Sequence, residues 1–335
     1  MGPGQTARVS TASVVVCAYT EDRWADIVAA LESLQRQTLT PSDIILVIDH
    51  NDCLFERAQS LQGVVIIRNS RARGASGSRN SGVEAARGSV VAFLDDDAIA
   101  HADWLEMLLR AYAQPNVAGV GGGIDPDWPA EAPRWFPEEF YWVVGCTYLG
   151  MRTTTGPVRN VIGANMSVRR DVWELVGGFK DGFGAVKTAV NTGWAGESRA
   201  STGEDTEFCI RVSHACPDLQ WIYEPRARVR HRVPRHRCTW RYFLSRSREE
   251  GLGKAVMVSA VGRESALAAE RSYTRQTLPA GIARGLREAV VSRDVDGLKR
   301  AGAIVGGFLM TAEGFLERRA RTLGIVRAAQ PRSRR

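Results

Sequence analysis

Along the first third of the chain, short β-branched runs alternate with stretches whose apolar residues recur three and four apart. SVVVCAY (13–19), IILVI (44–48), VVII (64–67) and SVVAFL (89–94) are apolar runs of strand length. After the first of them, Trp24, Ile27, Val28, Leu31 and Leu34 fall on one helical face, and Pro41 ends that helix. Residues 75–87 are small and helix-compatible. Trp104, Leu105, Leu108, Leu109 and Tyr112 mark another helical face. Continuous apolar strands separated by helices predict a mostly parallel sheet covered on both faces.

The pattern loosens further on. Residues 121–160 are rich in Gly, Pro and Trp and read as loops with short strands. VRNVIGANMSV (158–168) reads as a strand, and RRDVWELV (169–176) as a short helix stopped by Gly177-Gly178. Residues 180–203 are glycine-rich with few large apolar groups, and are expected to form a loop that closes over a ligand. EDTEFCIRVSHA (204–215) is helical in character, and WIYE (221–224) is a strand. From about 240 the composition turns to Arg, Ala, Gly and Leu at helical spacing. The expected organisation is a tail at 1–12, an α/β domain at 13–245, a helical extension at 246–320 and a basic tail at 321–335.

Composition narrows the class without choosing it. The chain has 335 residues, 44% hydrophobic and 24% charged, which suits a folded globular protein. The charge of +7 is too small to imply nucleic acid by itself. Six cysteines with no CxxC pair argue against a disulfide scaffold and against structural zinc. The longest uncharged stretch near the C-terminus, AGAIVGGFLMTA (301–312), is shorter than the ~20 residues a membrane span needs. A soluble, cytoplasmic protein is the expectation.

The candidate chemistry is carboxylate. FLDDDA (93–98) places Asp95, Asp96 and Asp97 at the carboxyl end of a strand, where ligands bind in open α/β sheets. Three adjacent carboxylates repel one another, so cations or hydrogen-bond donors must offset them. Asp95 and Asp97 can share a face of an extended segment. Hard oxygen ligands suit Mg²⁺ or Mn²⁺. Asp49 ends the second strand, as a turn residue or as an acceptor for a nucleobase N–H. GASGSRNSG (74–82) opens a helix with small residues that let a ligand approach, and Arg79 can counter a phosphate. It lacks the Gly-Lys-Ser/Thr ending of a Walker loop.

In order, SVVVCAYTEDR (13–23), ILVIDHND (45–52), GASGSRNSGVEAARGSVVAFLDDDA (74–98), GANMSVRRDVWELVGGF (163–179) and GEDTEFCIRV (203–212) resemble the inverting family-two glycosyltransferases of the GT-A fold. The resemblance covers roughly residues 12–245. It implies a Rossmann-like, mostly parallel sheet flanked by helices, a nucleotide-sugar donor and a bridging Mn²⁺ or Mg²⁺. By resemblance, Ala18, Tyr19 and the weaker contact Glu21 meet the base, Asp49 bonds the pyrimidine edge and Arg79 lies along the nucleotide. Asp95 and Asp96, the earlier carboxylates of the motif, go to the ribose or sugar, Asn165 is a further nucleotide-sugar contact, and Asp97 and His231 go to the metal. Asp205 matches the general base, with Glu204 beside it. One departure stands out: the family often has Pro-x-Tyr-Asn after the first strand, where this chain has Cys17-Ala18-Tyr19-Thr20.

The resulting expectation is transfer of a sugar from a UDP-sugar, with a dTDP-sugar next, to an acceptor hydroxyl on a glycan, a lipid-linked sugar or a small natural product. Two other readings compete. A sugar nucleotidyltransferase would want a glycine-rich loop with Arg and Lys after the first strand, where AYTEDRW stands. A basic nucleic-acid-binding protein would leave the acidic motifs unexplained, so no nucleic acid is expected. The basic tail is a candidate for contact with the inner face of a membrane, and the apolar stretch 301–316 for packing on the catalytic domain, pairing with a second copy or lying on a membrane, with packing or pairing favoured.

Overall fold

The computed structural model describes residues 11–180, 203–262 and 270–322. Most of the glycine-rich 180–203 segment, including Trp194, and most of the basic tail lie outside them. The chain divides into two compact units. The first takes in Met1–Ala130 and Val144–Pro234, the second Glu131–Val143 and Arg235–Arg335.

The first unit is built on one mixed sheet. Strands β1 (Ala12–Ala18), β2 (Asp43–Ile48), β3 (Val65–Arg68) and β4 (Val90–Asp95) are parallel, in the order β3-β2-β1-β4. Every residue of β2 is buried and β1 is nearly so, as a sheet covered on both faces requires. Helices α1 (Trp24–Gln35), α2 (Asp52–Ala58) and α3 (Ala75–Ala85) connect these strands. Asn51 starts α2 by accepting the Leu54 N–H at 2.9 Å, so the polar turn after β2 is also a helix cap.

Beyond β4 the sheet changes character. It continues through β8 (Asn165–Arg169), β6 (Val117–Asp127), β9 (Gln220–Arg232) and β5 (Ala98–Ala100), with β7 (Gly156–Val158) beside β9. Only the β6–β9 pairing is parallel here, and the others are antiparallel. The expected strand at 158–168 is two short strands, and the expected strand at 221–224 runs on to Arg232. The second half of β9 alternates strictly: Ala227, Val229 and His231 are buried, while Arg226, Arg228, Arg230 and Arg232 are exposed. Most of the arginine run is thus a solvated face. Helix α4 (Trp104–Arg110) buries Trp104, Leu105 and Leu108. Helix α5 (Arg170–Val176) ends at left-handed Gly177, and α6 (Glu204–Ala215) begins on the GED motif.

The second unit is helical, with α7 (Trp240–Val261), α8 (Leu278–Val291) and the long α9 (Val295–Thr322). Residues 131–143 join these helices through aromatic packing. Trp135 stacks on Trp240 with ring centroids 4.4 Å apart, and Phe136 and Phe140 each lie 5.2 Å from Phe243. Where α7 crosses α9, Gly251 lies so close to Thr311 that a Cβ would meet its carbonyl oxygen. The division between units, at Pro234/Arg235, falls before the expected domain boundary at 245.

Candidate active site

The chain leaves β1 toward β2 and β3, then returns to place β4 on the other side of β1. That reversal opens a crevice at the carboxyl ends of β1 and β4, a topological switch point. Cys17 and Asp95 are paired in register there. Burial pushes the Cys17 thiol up to about 12, Arg79 opposing, so it stays neutral at physiological pH.

Asp95 closes β4, and Asp96 and Asp97 form the tight turn into β5. The antiparallel β5–β9 register sets Ala98 opposite His231, which delivers the imidazole to the turn. His231 Nε2 lies 3.1 Å from Asp97 Oδ1 and 4.0 Å from Asp95 Oδ2. Ligand atoms of Asp95, Asp97 and His231 all fall within 4.8 Å of one another. Burial works against a charged imidazole here, but hydrogen bonding to Asp97 and Cys146 outweighs it and holds the His231 pKa at about 10. The pocket is therefore one that retains positive charge. Two carboxylates and an imidazole suit Mn²⁺ or Mg²⁺, and the residues fit a divalent cation.

Two side chains at this cluster carried no individual mark in the sequence. Arg23, in a short 3₁₀ turn directly after β1, donates to Asp96 Oδ1 at 2.7 Å and lies 2.8 Å from Asp97 Oδ2. It is the cation that three adjacent carboxylates demanded, and its signal was its place in CAYTEDR. Cys146 is fully buried with its Sγ 3.9 Å from His231 Nδ1. At a separation of 85 residues, no sequence pattern marks that contact.

Arg79 links this cluster to the GED motif. It is buried in α3, with Nη1 2.7 Å from Glu204 Oε1 and Nη2 3.6 Å from Asp95 Oδ1. Asp205 Oδ2 accepts the Gly163 N–H at 2.8 Å, and Oδ1 accepts the Thr206 N–H at 2.6 Å. GANMS and GED, forty residues apart, thus meet at one carboxylate. Burial raises the Asp205 pKa, and the Glu204 charge raises it further. Arg79 and the two amides offset only part of this, and the value stands at about 6.

The other expected residues divide. Ala18 and Tyr19 sit at the end of β1, Ala18 buried and Tyr19 half-buried, and Glu21 is exposed just beyond. Asp49 accepts from Asn69 Nδ2 at 2.7 Å and from the Gly74 N–H at 3.0 Å, with His50 Nδ1 at 2.9 Å. It anchors the loop entering α3, where Gly74 has φ 120°. A carboxylate has about four acceptor sites, so room for one further donor remains. Asn165 is not brought to the crevice. It is fully buried, accepts from Trp104 Nε1 at 2.8 Å and donates to the Gly123 and Ala227 carbonyls at 2.9 Å. These bonds tie β8 to α4, β6 and β9 and use both amide hydrogens. Asn165 acts as a core pin, because a buried amide serves the polar groups around it.

The family model described as Glycosyl transferase family 2 matches residues 13–176. Glucosyl-dolichyl phosphate glucuronosyltransferase of Haloferax volcanii is 38% identical over 250 residues, 73% of this chain and 76% of that protein. Succinoglycan biosynthesis protein ExoM of Rhizobium meliloti is 27% identical over 180 residues, 52% of this chain and 49% of that protein. The crystal structure of GalNAc-T7 with UDP, GalNAc and Mn²⁺ shares the fold, with TM-score 0.50 and 17% identity, covering 67% of this chain and 43% of that chain. The chain belongs to glycosyl transferase family 2, and the protein is a glycosyltransferase of the GT-A fold.

Proposed function

We propose that the protein transfers a sugar with inversion from a UDP-sugar, or next a dTDP-sugar, to a hydroxyl of a lipid-linked glycan, with Asp205 as general base. The observation that carries this reading is the Asp205 carboxylate, held by two backbone amides and raised to about 6. Such a group is mostly ionised at pH 7, yet basic enough to take a proton from an attacking hydroxyl. Its neighbour Glu204 stays engaged with Arg79 and serves to tune it. Cys17, kept neutral, is no nucleophile. One base without a protein nucleophile gives a single in-line displacement, and an α-linked donor then yields a β-linked product.

Asp95, Asp97 and His231 would hold the divalent cation, whose charge stabilises the departing diphosphate. Arg79 and Arg23 fix the carboxylates around it. Tyr19 and Asp49 stand at the carboxyl ends of β1 and β2, where a nucleoside would lie. The lipid-linked acceptor is supported by the Haloferax relative, whose name specifies glucuronosyl transfer on glucosyl-dolichyl phosphate.

The test has two stages. A thermal-shift screen of UDP-, dTDP- and GDP-sugars with Mn²⁺ or EDTA is expected to show the largest rise in Tm with a UDP-sugar and Mn²⁺. That donor is then offered to a glucosyl polyprenyl phosphate and to a water-soluble glucoside, and the lipid acceptor is expected to turn over faster. A larger shift with GDP-sugars would overturn the donor assignment. Equal turnover of both acceptors would overturn the lipid assignment.

A further inference from the structure

The α8–α9 hairpin presents large apolar side chains to solvent, and their exposure rises toward its tip. Val290 is 80% exposed, Val291 71%, Val295 65% and Leu298 55%. From Leu298 the apolar positions continue along α9 as Val305, Leu309 and Leu316, all more than 40% exposed. With Gly302 and Ala312 between them the spacing is four and three in turn, which keeps them on one side of the helix. The opposite side, with Ala303, Ile304 and Gly307, is buried. Isolated exposed apolar residues need no explanation, but a continuous stripe marks an interaction face.

The charges around the stripe identify its partner. Arg287 and Arg293 flank the tip, and Arg318 and Arg319 flank the far end. The acids of the segment are already engaged. Arg300 holds Glu288 and Asp294, Lys299 holds Asp296, and Arg248 pairs with Glu313 and Glu317. A second copy laid antiparallel on this face would bring tip arginines against far-end arginines, while the described acids of the segment are already paired within the chain. A bilayer carrying anionic headgroups meets both demands, taking the apolar stripe and attracting the basic rim. No helix among the described residues is long and apolar enough to cross a membrane.

We propose that the α8–α9 hairpin is a membrane-surface docking element, lying on an anionic bilayer with Val290, Val291 and Val295 at the headgroup–acyl boundary. The proposal rests on the surface of the second unit and does not depend on donor, acceptor or catalytic base.

The test is co-sedimentation of the full chain with vesicles of phosphatidylcholine, alone or mixed equally with phosphatidylglycerol. The chain is expected to partition at least about tenfold better onto the anionic vesicles. The Val290→Ser/Val291→Ser variant is expected to lower that partitioning about tenfold, and Arg287→Glu/Arg293→Glu by a similar factor. All four positions are exposed, so circular-dichroism melting should match the parent chain. The UDP-sugar thermal shift is measured on the same variants, so a failed donor assignment is separable from a failed docking face. Equal binding to both vesicle types, or anionic binding that the valine pair does not affect, would overturn the proposal. So would absence of vesicle binding together with a dimer in light scattering that Val290→Ser/Val291→Ser dissolves, which would assign the face to a second copy.

Discussion

The turn after β4 and the first turn of α6 carry the same chemical group and treat it in opposite ways. At 95–97 each carboxylate has a cationic or imidazole partner within 4.0 Å, drawn from Arg23, Arg79 and His231. At 204–205 the cation recorded among the described residues is Arg79, which lies against Glu204. Asp205 keeps two backbone amides and a charged neighbour, and its pKa climbs to about 6. The first cluster is arranged to hold positive charge, and the second, in the proposed mechanism, to exchange a proton. Ownership of the cations, and not residue type, separates the two roles.

The largest effect that separates the clusters is on turnover. Asp205→Asn keeps the shape of the side chain but cannot take a proton. Sugar transfer is expected to fall roughly 10²–10⁴-fold, with donor affinity in calorimetry unchanged. If donor affinity falls in step with turnover, Asp205 belongs functionally with the first cluster. The next effect lies in the first cluster itself. Asp97→Ala leaves Arg23 and His231 without their shared carboxylate. Mn²⁺-dependent binding of UDP is expected to weaken by more than the ~10–100-fold typical of losing an outer partner of a metal ligand. Equal UDP affinity with Mn²⁺ and EDTA in the parent chain would remove the metal role altogether.

Two smaller effects sharpen the contrast. Cys146 touches His231 at Nδ1, on the side of the ring away from the carboxylates. Cys146→Ala should leave the ring free to turn and weaken Mn²⁺ about tenfold in calorimetry without nucleotide. Asp205→Asn, tested in parallel, should leave Mn²⁺ affinity alone. The subtlest change is Glu204→Gln. The Glu204 charge raises the Asp205 pKa, so its removal, which also frees Arg79, lowers it. The acid limb of the pH–rate profile, expected near 6 in the parent chain, should move to lower pH. A limb that stays in place would mean that another group sets it.

The parallel half of the fold was legible in the sequence because its signals are local. A strand buried on both faces must be apolar throughout, and the helices between must turn one apolar stripe inward. The carboxylates were legible for the same reason. DDD at a strand end and GED at a helix start are acids placed where a buried chain has no packing use for them. His231 was legible only through the family resemblance, and the alternation of buried and arginine positions along β9 is what carries it inward.

Partnership was decided only in three dimensions. Nothing near Asp205 in sequence says that Gly163 will hold it while Arg79 goes to Glu204. Nothing near Asn165 says that Trp104 and two carbonyls will consume its amide. Residues 131–143 look like loop, yet their aromatics complete a helical unit begun a hundred residues later. The physical reason is common to all three. Periodicity and turn chemistry act between neighbours along the chain, whereas ion pairs and buried amides are settled by strand order and register. The sequence by itself determined which groups are present and at which ends of which elements. The folded sheet decided which of them meet an arginine or an imidazole and which one is held by backbone amides.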